Sequence, residues 1–63
     1  MENNLRKIRK QKGVTQMQLS TKSGVPRSTI TSIELGSTPN VYIAIRLAHV
    51  LGVSAEELFP LPP

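Results

Sequence analysis

Apolar residues return at spacings of three and four through most of the chain, and each run breaks at a glycine or a proline. Leu5 and Ile8 mark the first run, over about residues 3–12, which Gly13 ends. A second run, over 15–23, opens with "TQMQ". There Thr15 can cap the helix and Gln18 can reach back to it, a capping box, and Gly24 supplies a left-handed stop. A third begins near Pro26, where a proline is tolerated, carries Ile30 and Ile33, and stops at Gly36. A fourth has Asn40 as cap and reaches Leu51 before Gly52. The fifth opens with "SAEE", in which Ser54 and Glu57 form a second capping box, and closes by Pro60. Nowhere do β-branched residues alternate with polar ones over a strand's length. The pattern predicts an all-α fold of five short helices. The second and third are joined by only "GV" or "GVP", and a short glycine-containing turn between two helices is the helix-turn-helix signature, here over about residues 15–35.

On a wheel of about 100° per residue, Ile30 and Ile33 define the inward side of the third helix, with Val25 packing from the turn before it. Arg27, Ser28, Thr31, Ser32 and Leu35 project the other way, and that face carries no acid. Glu34 falls near the Ile30 direction and in the last turn, where a carboxylate faces the negative end of the helix dipole and needs a cation. Arg9 stands about 40° from Leu5 at the edge of the first helix's apolar stripe. An Arg9–Glu34 ion pair tying helix one to helix three is therefore expected. In the fourth run Val41, Ala44, Leu47, Ala48 and Leu51 form the core stripe. Ile43, Ile45 and Val50 widen the apolar arc to about 220°. That surplus, with Leu58, Phe59 and Leu61, fits a symmetric dimer contact, a deeper core or scattered exposed apolar residues. Tyr42 and His49 share the opposite, polar face.

Composition narrows the picture. A chain of 63 residues is read as one domain over 1–63, which buries only about 60% of its unfolded surface. It has no cysteine and one histidine, His49. Disulfides and a cysteine-ligated zinc site are excluded, and no metal or other cofactor is expected. No nucleophile–base pair, carboxylate dyad or phosphate-cradling glycine loop is present, and the glycines are helix stops, so no enzyme is expected. No apolar run has the length of a signal peptide or a membrane span, which makes a reduced, cytoplasmic location the expectation. Net charge is +4, and five of the eight Lys and Arg (Arg6, Lys7, Arg9, Lys10, Lys12) fall in one segment. Both a polyanionic partner and a solvated helix face agree with that charge.

The pieces in order are Arg9; "TQ..L" at Thr15, Gln16 and Leu19; "SGV" at 23–25; "STI..IE.G" at 28–36; Pro39; and "LA..LGVS" at 47–54. Together they resemble the helix-turn-helix domain of the phage Cro/CI repressor family, the Xre-like regulators, from Leu5 to Phe59. The resemblance implies a lambda-repressor-like bundle of five helices whose third helix, about 26–35, lies in the DNA major groove. It implies that Arg27, Ser28, Thr31 and Ser32 face base edges. It implies that Gln16 and Thr15, at the start of helix two, and Ser37, Thr38 and Asn40, in the loop after helix three, lie along phosphates. Arg9 and Glu34 match the family's bridging ion pair. Arg27 suits a bidentate bond to guanine, and its place in the first turn also suits a phosphate. Ser20 and Ser23 depart from the family's usual alanines, and each hydroxyl is expected to bond back to its own helix.

These readings converge on a sequence-specific regulator of double-stranded DNA, acting as a homodimer on a short palindrome. The alternative is a protein-interaction module, or an antitoxin, whose bundle binds a protein partner. Arg6, Lys7, Lys10 and Lys12 are solvent-facing, and the sequence does not rank them as phosphate contacts.

Overall fold

The computed structural model describes residues 3–62. It contains α1 (Leu5–Gln11), α2 (Gln16–Ser23), α3 (Arg27–Glu34), α4 (Val41–Leu51) and α5 (Ala55–Leu58), with no strand among the described residues. The fold is the expected all-α bundle of five helices. Each helix is a little shorter than its apolar run, because the capping residues stand outside it. Thr15 accepts from the Gln18 amide while the Gln18 side chain accepts from the Thr15 amide, so the α2 capping box is complete. Asn40 and Ser54 cap α4 and α5 through their side-chain oxygens.

Every helix contributes to one core: Leu5, Leu19, Ile30, Ile33, Leu47, Ala48, Leu51 and Leu58, with Val25 from the turn and Phe59 from the end of α5. Burying one such leucine or isoleucine stabilises the fold by roughly 1.5–3 kcal/mol before entropy is counted. α3 packs on α1 and α2, and α4 packs on α2 and α5. The radius of gyration, 10.3 Å, is near the ~10.6 Å expected of a compact chain this long.

Two expectations about apolar positions change. Leu58 and Phe59 do not belong to a dimer surface, because both are buried in the core of the single chain. α5 is only one turn long, and these two residues are how it closes the bundle. Val41, placed in the core stripe, is 75% exposed. It shares a wheel direction with Ala48 but lies two turns nearer the helix start, and the buried residues of α4 are Leu47, Ala48 and Leu51, all in its second half. Ile43 and Val50 are half-buried against the core, whereas Ile45 and Leu61 are exposed.

The turn between α2 and α3 is held by side chains from three places. Gly24 takes the left-handed conformation with φ +75°. The Ser23 hydroxyl donates to the Leu19 carbonyl at 2.6 Å, as expected, and accepts from the Val25 amide. Ser20 behaves differently from expectation: its hydroxyl donates across the turn to the Val25 carbonyl at 2.7 Å. Val25 precedes α3, so its carbonyl has no ladder partner and can take the Ser20 hydroxyl. From α4, Arg46 Nε donates to the Ser23 carbonyl at 2.6 Å and Nη1 donates to the Tyr42 hydroxyl at 2.8 Å. The guanidinium carbon lies 5.4 Å from the centre of the Tyr42 ring.

That guanidinium passes so close to Gly24 that an added Cβ would lie 3.2 Å from Arg46 Nη2, while one at Gly13, also with positive φ, would meet nothing. An alanine at either position takes the left-handed penalty of roughly 1–2 kcal/mol. Gly24→Ala should lose more stability than Gly13→Ala in urea unfolding followed by circular dichroism. The excess should vanish in an Arg46→Ala background, and an excess that persists there refutes the contact as its cause.

Candidate nucleic-acid interface

α3 is eight residues long, and its sequence divides it cleanly. Ile30 and Ile33 are buried, Arg27, Ser28 and Ser32 are exposed, and Thr31 is half-buried at the boundary with α2. Leu35, just past the helix end, is 85% exposed. The outward face therefore carries one cation, three hydroxyls, one apolar side chain and no acid. The helix ends in a Schellman turn, in which the Ser37 amide donates to the Ser32 carbonyl and the Gly36 amide to that of Ile33. Asn3 adds its side-chain amide to the Ile33 carbonyl at 2.9 Å.

The single carboxylate of α3 is turned inward and neutralised. Arg9 Nε donates to Glu34 Oε2 at 2.7 Å and Nη2 to Oε1 at 3.3 Å, with the two side chains only 10% and 5% exposed. The remaining Arg9 nitrogen, Nη1, donates to the Val14 carbonyl at 2.9 Å. Gln16 Nε2 donates to Glu34 Oε1 at 3.0 Å, and the Thr31 hydroxyl donates to Gln16 Oε1 at 3.3 Å. Burial by itself pushes the Glu34 carboxyl up. The hydrogen bonds from Arg9 and Gln16, with the nearby Arg9 and Arg6 charges, outweigh it and hold the carboxyl below its ordinary value.

Arg27, Ser28, Thr31 and Ser32 thus share one face. Gln16 is half-buried beside them, and its amide is engaged on both sides, by Glu34 and by Thr31. Thr15, Ser37, Thr38 and Asn40 are exposed. Thr15 and Asn40 use acceptor atoms for their caps. A phosphate takes donors, and a hydroxyl or carboxamide used as an acceptor keeps its donor side. The Gln16 bridge was not foreseen, since it depends on the angle between α2 and α3, which no spacing encodes. Arg46 was also missed, although its position four residues after Tyr42 was a local signal.

A family model described as helix-turn-helix matches residues 5–58. The chain belongs to the Cro/CI-type helix-turn-helix family. That family comprises transcriptional regulators, a non-enzymatic DNA-binding class. The uncharacterised helix-turn-helix-type transcriptional regulator YqaE of Bacillus subtilis (strain 168) is 41% identical over 56 residues, covering 87% of this chain and 48% of YqaE. A regulator of the same description from Methanocaldococcus jannaschii is 38% identical over 60 residues, 94% of this chain and 91% of its own. Among solved structures, a chain of the SinR–SinI protein complex superposes with a TM-score of 0.82 at 32% identity, over 90% of this chain and 57% of that one. The N-terminal DNA-binding domain of SinR, the master biofilm regulator of Bacillus subtilis, superposes with 0.81 at 30% identity, over 92% and 87%. This Cro/CI-type chain therefore spans about half of YqaE but nearly all of its archaeal relative. Among its described residues, no helix is long and apolar enough to cross a membrane.

Removing one partner of a nearly buried pair strands the other charge. Arg9→Met should therefore cost about 3 kcal/mol in urea unfolding, and an unchanged midpoint would deny the bridge any role in stability. The pH dependence has a definite sign. Because the folded Glu34 carboxyl sits below its ordinary 4.5, its contribution is complete above that value and is lost as pH falls through the lower folded value. Glu34→Gln should lack this acid-side component of the wild-type profile.

Proposed function

We propose that this chain is a sequence-specific regulator of double-stranded DNA, one domain over 1–63, that lays α3 in the major groove and acts as a homodimer on a short two-fold operator in the cytoplasm. The observation that carries this reading is the acid-free outward face of α3, whose one carboxylate is neutralised on the inside. Glutamate on that face would repel phosphates, and long charged chains would resist the desolvation that contact with base edges requires. The likeness to the SinR DNA-binding domain supports the same reading.

Each residue then has a chemical task. Arg27 bonds bidentately to guanine O6 and N7, or to a phosphate at the groove edge. Ser28 and Ser32 donate to or accept from several bases. Thr31, its hydroxyl proton turned to Gln16, presents oxygen lone pairs and a methyl that fits against thymine. The donors of Gln16, Thr15, Ser37, Thr38 and Asn40 lie along the phosphates. One such motif spans few base pairs, so two copies share a palindrome. Ile45 and Leu61, with the half-buried Ile43 and Val50 at the edge, supply the contact between copies. The exposed Val41, Tyr42 and Ile45 on α4 also suit a protein partner, and the SinR-like neighbour was solved in a complex with SinI.

Selection from a random duplex library should enrich a two-fold-symmetric site. Arg27→Ala should lose about 1–3 kcal/mol of discrimination at one position of each half-site. A library that emerges unenriched, beside a stable protein partner in pull-down, would replace this reading with the interaction module. Ile45→Glu should weaken operator binding while leaving the circular dichroism spectrum intact, and undiminished affinity would move the dimer contact elsewhere.

A further inference from the structure

The chain has eight Lys and Arg, but they are not equivalent once the fold is known. Arg9 is committed to Glu34 and Val14, and Arg46 to Ser23 and Tyr42. Two shallow depressions flank Gln16 beside the outward face of α3. One is walled by Arg6, Thr31 and Leu35, over the Arg9–Glu34 pair. The other is walled by Lys10, Thr15, Met17 and Arg27. Neither contains an unpaired carboxylate.

The register of α1 explains why these two cations reach that side. Arg9 points at α3. Arg6 and Lys10, four residues apart, stand about 60° and 100° from Arg9 in one rotational sense. Lys12 stands about 60° away in the opposite sense, and Lys7 about 160° away. The charge of Arg6 also acts on Glu34, which places its guanidinium within electrostatic reach of the α3 end. The result is an uncharged hydroxyl-bearing floor on α3, with cations at its margin from α1 and from Arg27. A major groove has the same layout, with neutral base edges below and a phosphate row on each side.

Resting on the DNA-binding reading above, we propose that Arg6 and Lys10 hold the phosphates of one DNA strand beside the α3 face, so that α1 is a third element of the interface. Lys7, Lys12 and Lys22 contribute only diffuse charge. The two residues add affinity and register without sequence information, and they set the salt dependence of binding.

The test measures binding of a random-sequence DNA duplex by fluorescence anisotropy across a salt series, with circular dichroism confirming each variant's fold. Each phosphate contact contributes about 0.9 to the slope of log K against log salt, so Arg6→Gln/Lys10→Gln should lower the slope by about 1.8. Arg6→Lys should retain its share. Lys7→Gln and Lys22→Gln should leave the slope nearly unchanged. Two results overturn the proposal while leaving DNA binding intact: an unaltered slope in the double variant, or an equal drop in the Lys7 and Lys22 variants. A wild-type chain that binds no duplex at any salt overturns both this proposal and the reading beneath it.

Discussion

The Arg9–Glu34 bridge is the constraint on which the arrangement of α3 depends. A carboxylate in the last turn of a helix meets the negative end of the dipole, and one with 5% of its side chain exposed has also lost its water. It is tolerable only with a cation in contact. Arg9 meets that demand with its Nε and Nη2 on Glu34 and its Nη1 on Val14, so a single guanidinium joins α1, the loop after it and α3. The second carboxylate oxygen also takes Gln16, and Gln16 takes Thr31. A continuous polar chain thus runs from the nearly buried pair to the outward face of α3. The bonds that neutralise the one acid of α3 thus help, with buried Ile30 and Ile33, to hold that face outward.

Short helices make a related problem general. Each helix leaves up to four carbonyls without a ladder partner at its C-terminal end, and in helices of four to eleven residues those ends are a large share of the backbone. Here side chains join in closing them. Asn3 serves Ile33, Asn4 serves Glu57 and Arg46 serves Ser23, while Arg9 and Ser20 serve the loop carbonyls of Val14 and Val25. Most of these bonds join different elements, so the groups that satisfy orphan carbonyls also align one helix on the next. A 63-residue chain without disulfides gains specificity of packing in this way.

What was legible in the sequence was whatever local chemistry or periodicity determines. The five helices, the Thr15–Gln18 capping box and the Ser54 cap, the left-handed Gly24, the inward Ile30 and Ile33 and the outward hydroxyls of α3 all follow from spacing and residue type. The Arg9–Glu34 pair was legible for a different reason: an inward carboxylate at a helix C-terminus requires a partner, and one arginine was suitably placed. What escaped depends on how helices meet. Ser20 was expected to bond within its helix, because nothing local reveals that the Val25 carbonyl passes within 2.7 Å. Leu58 and Phe59 look like surplus when α5 is considered alone, and become core only when α5 packs against α4. A wheel gives Val41 the direction of Ala48 without saying where along α4 the neighbouring helices stop.

The same packing pattern bears on how the two proposed surfaces coexist. α4 buries its inner face against α2 and α5, while α1 packs on α3. The exposed apolar residues of α4 therefore lie on a different element from the α3 face and from the α1 cations. On the dimer reading proposed above, a copy or partner seated on Val41, Tyr42 and Ile45 would touch α4 directly, and Arg27, Ser28, Thr31 and Ser32 belong to α3. Had the surplus apolar residues stood on α3 or α1 instead, partner binding and DNA binding would compete for the same residues. Separation of this kind is what a dimer on a two-fold site requires, because both α3 helices must enter the duplex while the copies remain in contact. On that same reading, a partner acting through α4 would change how two copies are spaced without altering the residues of the α3 face.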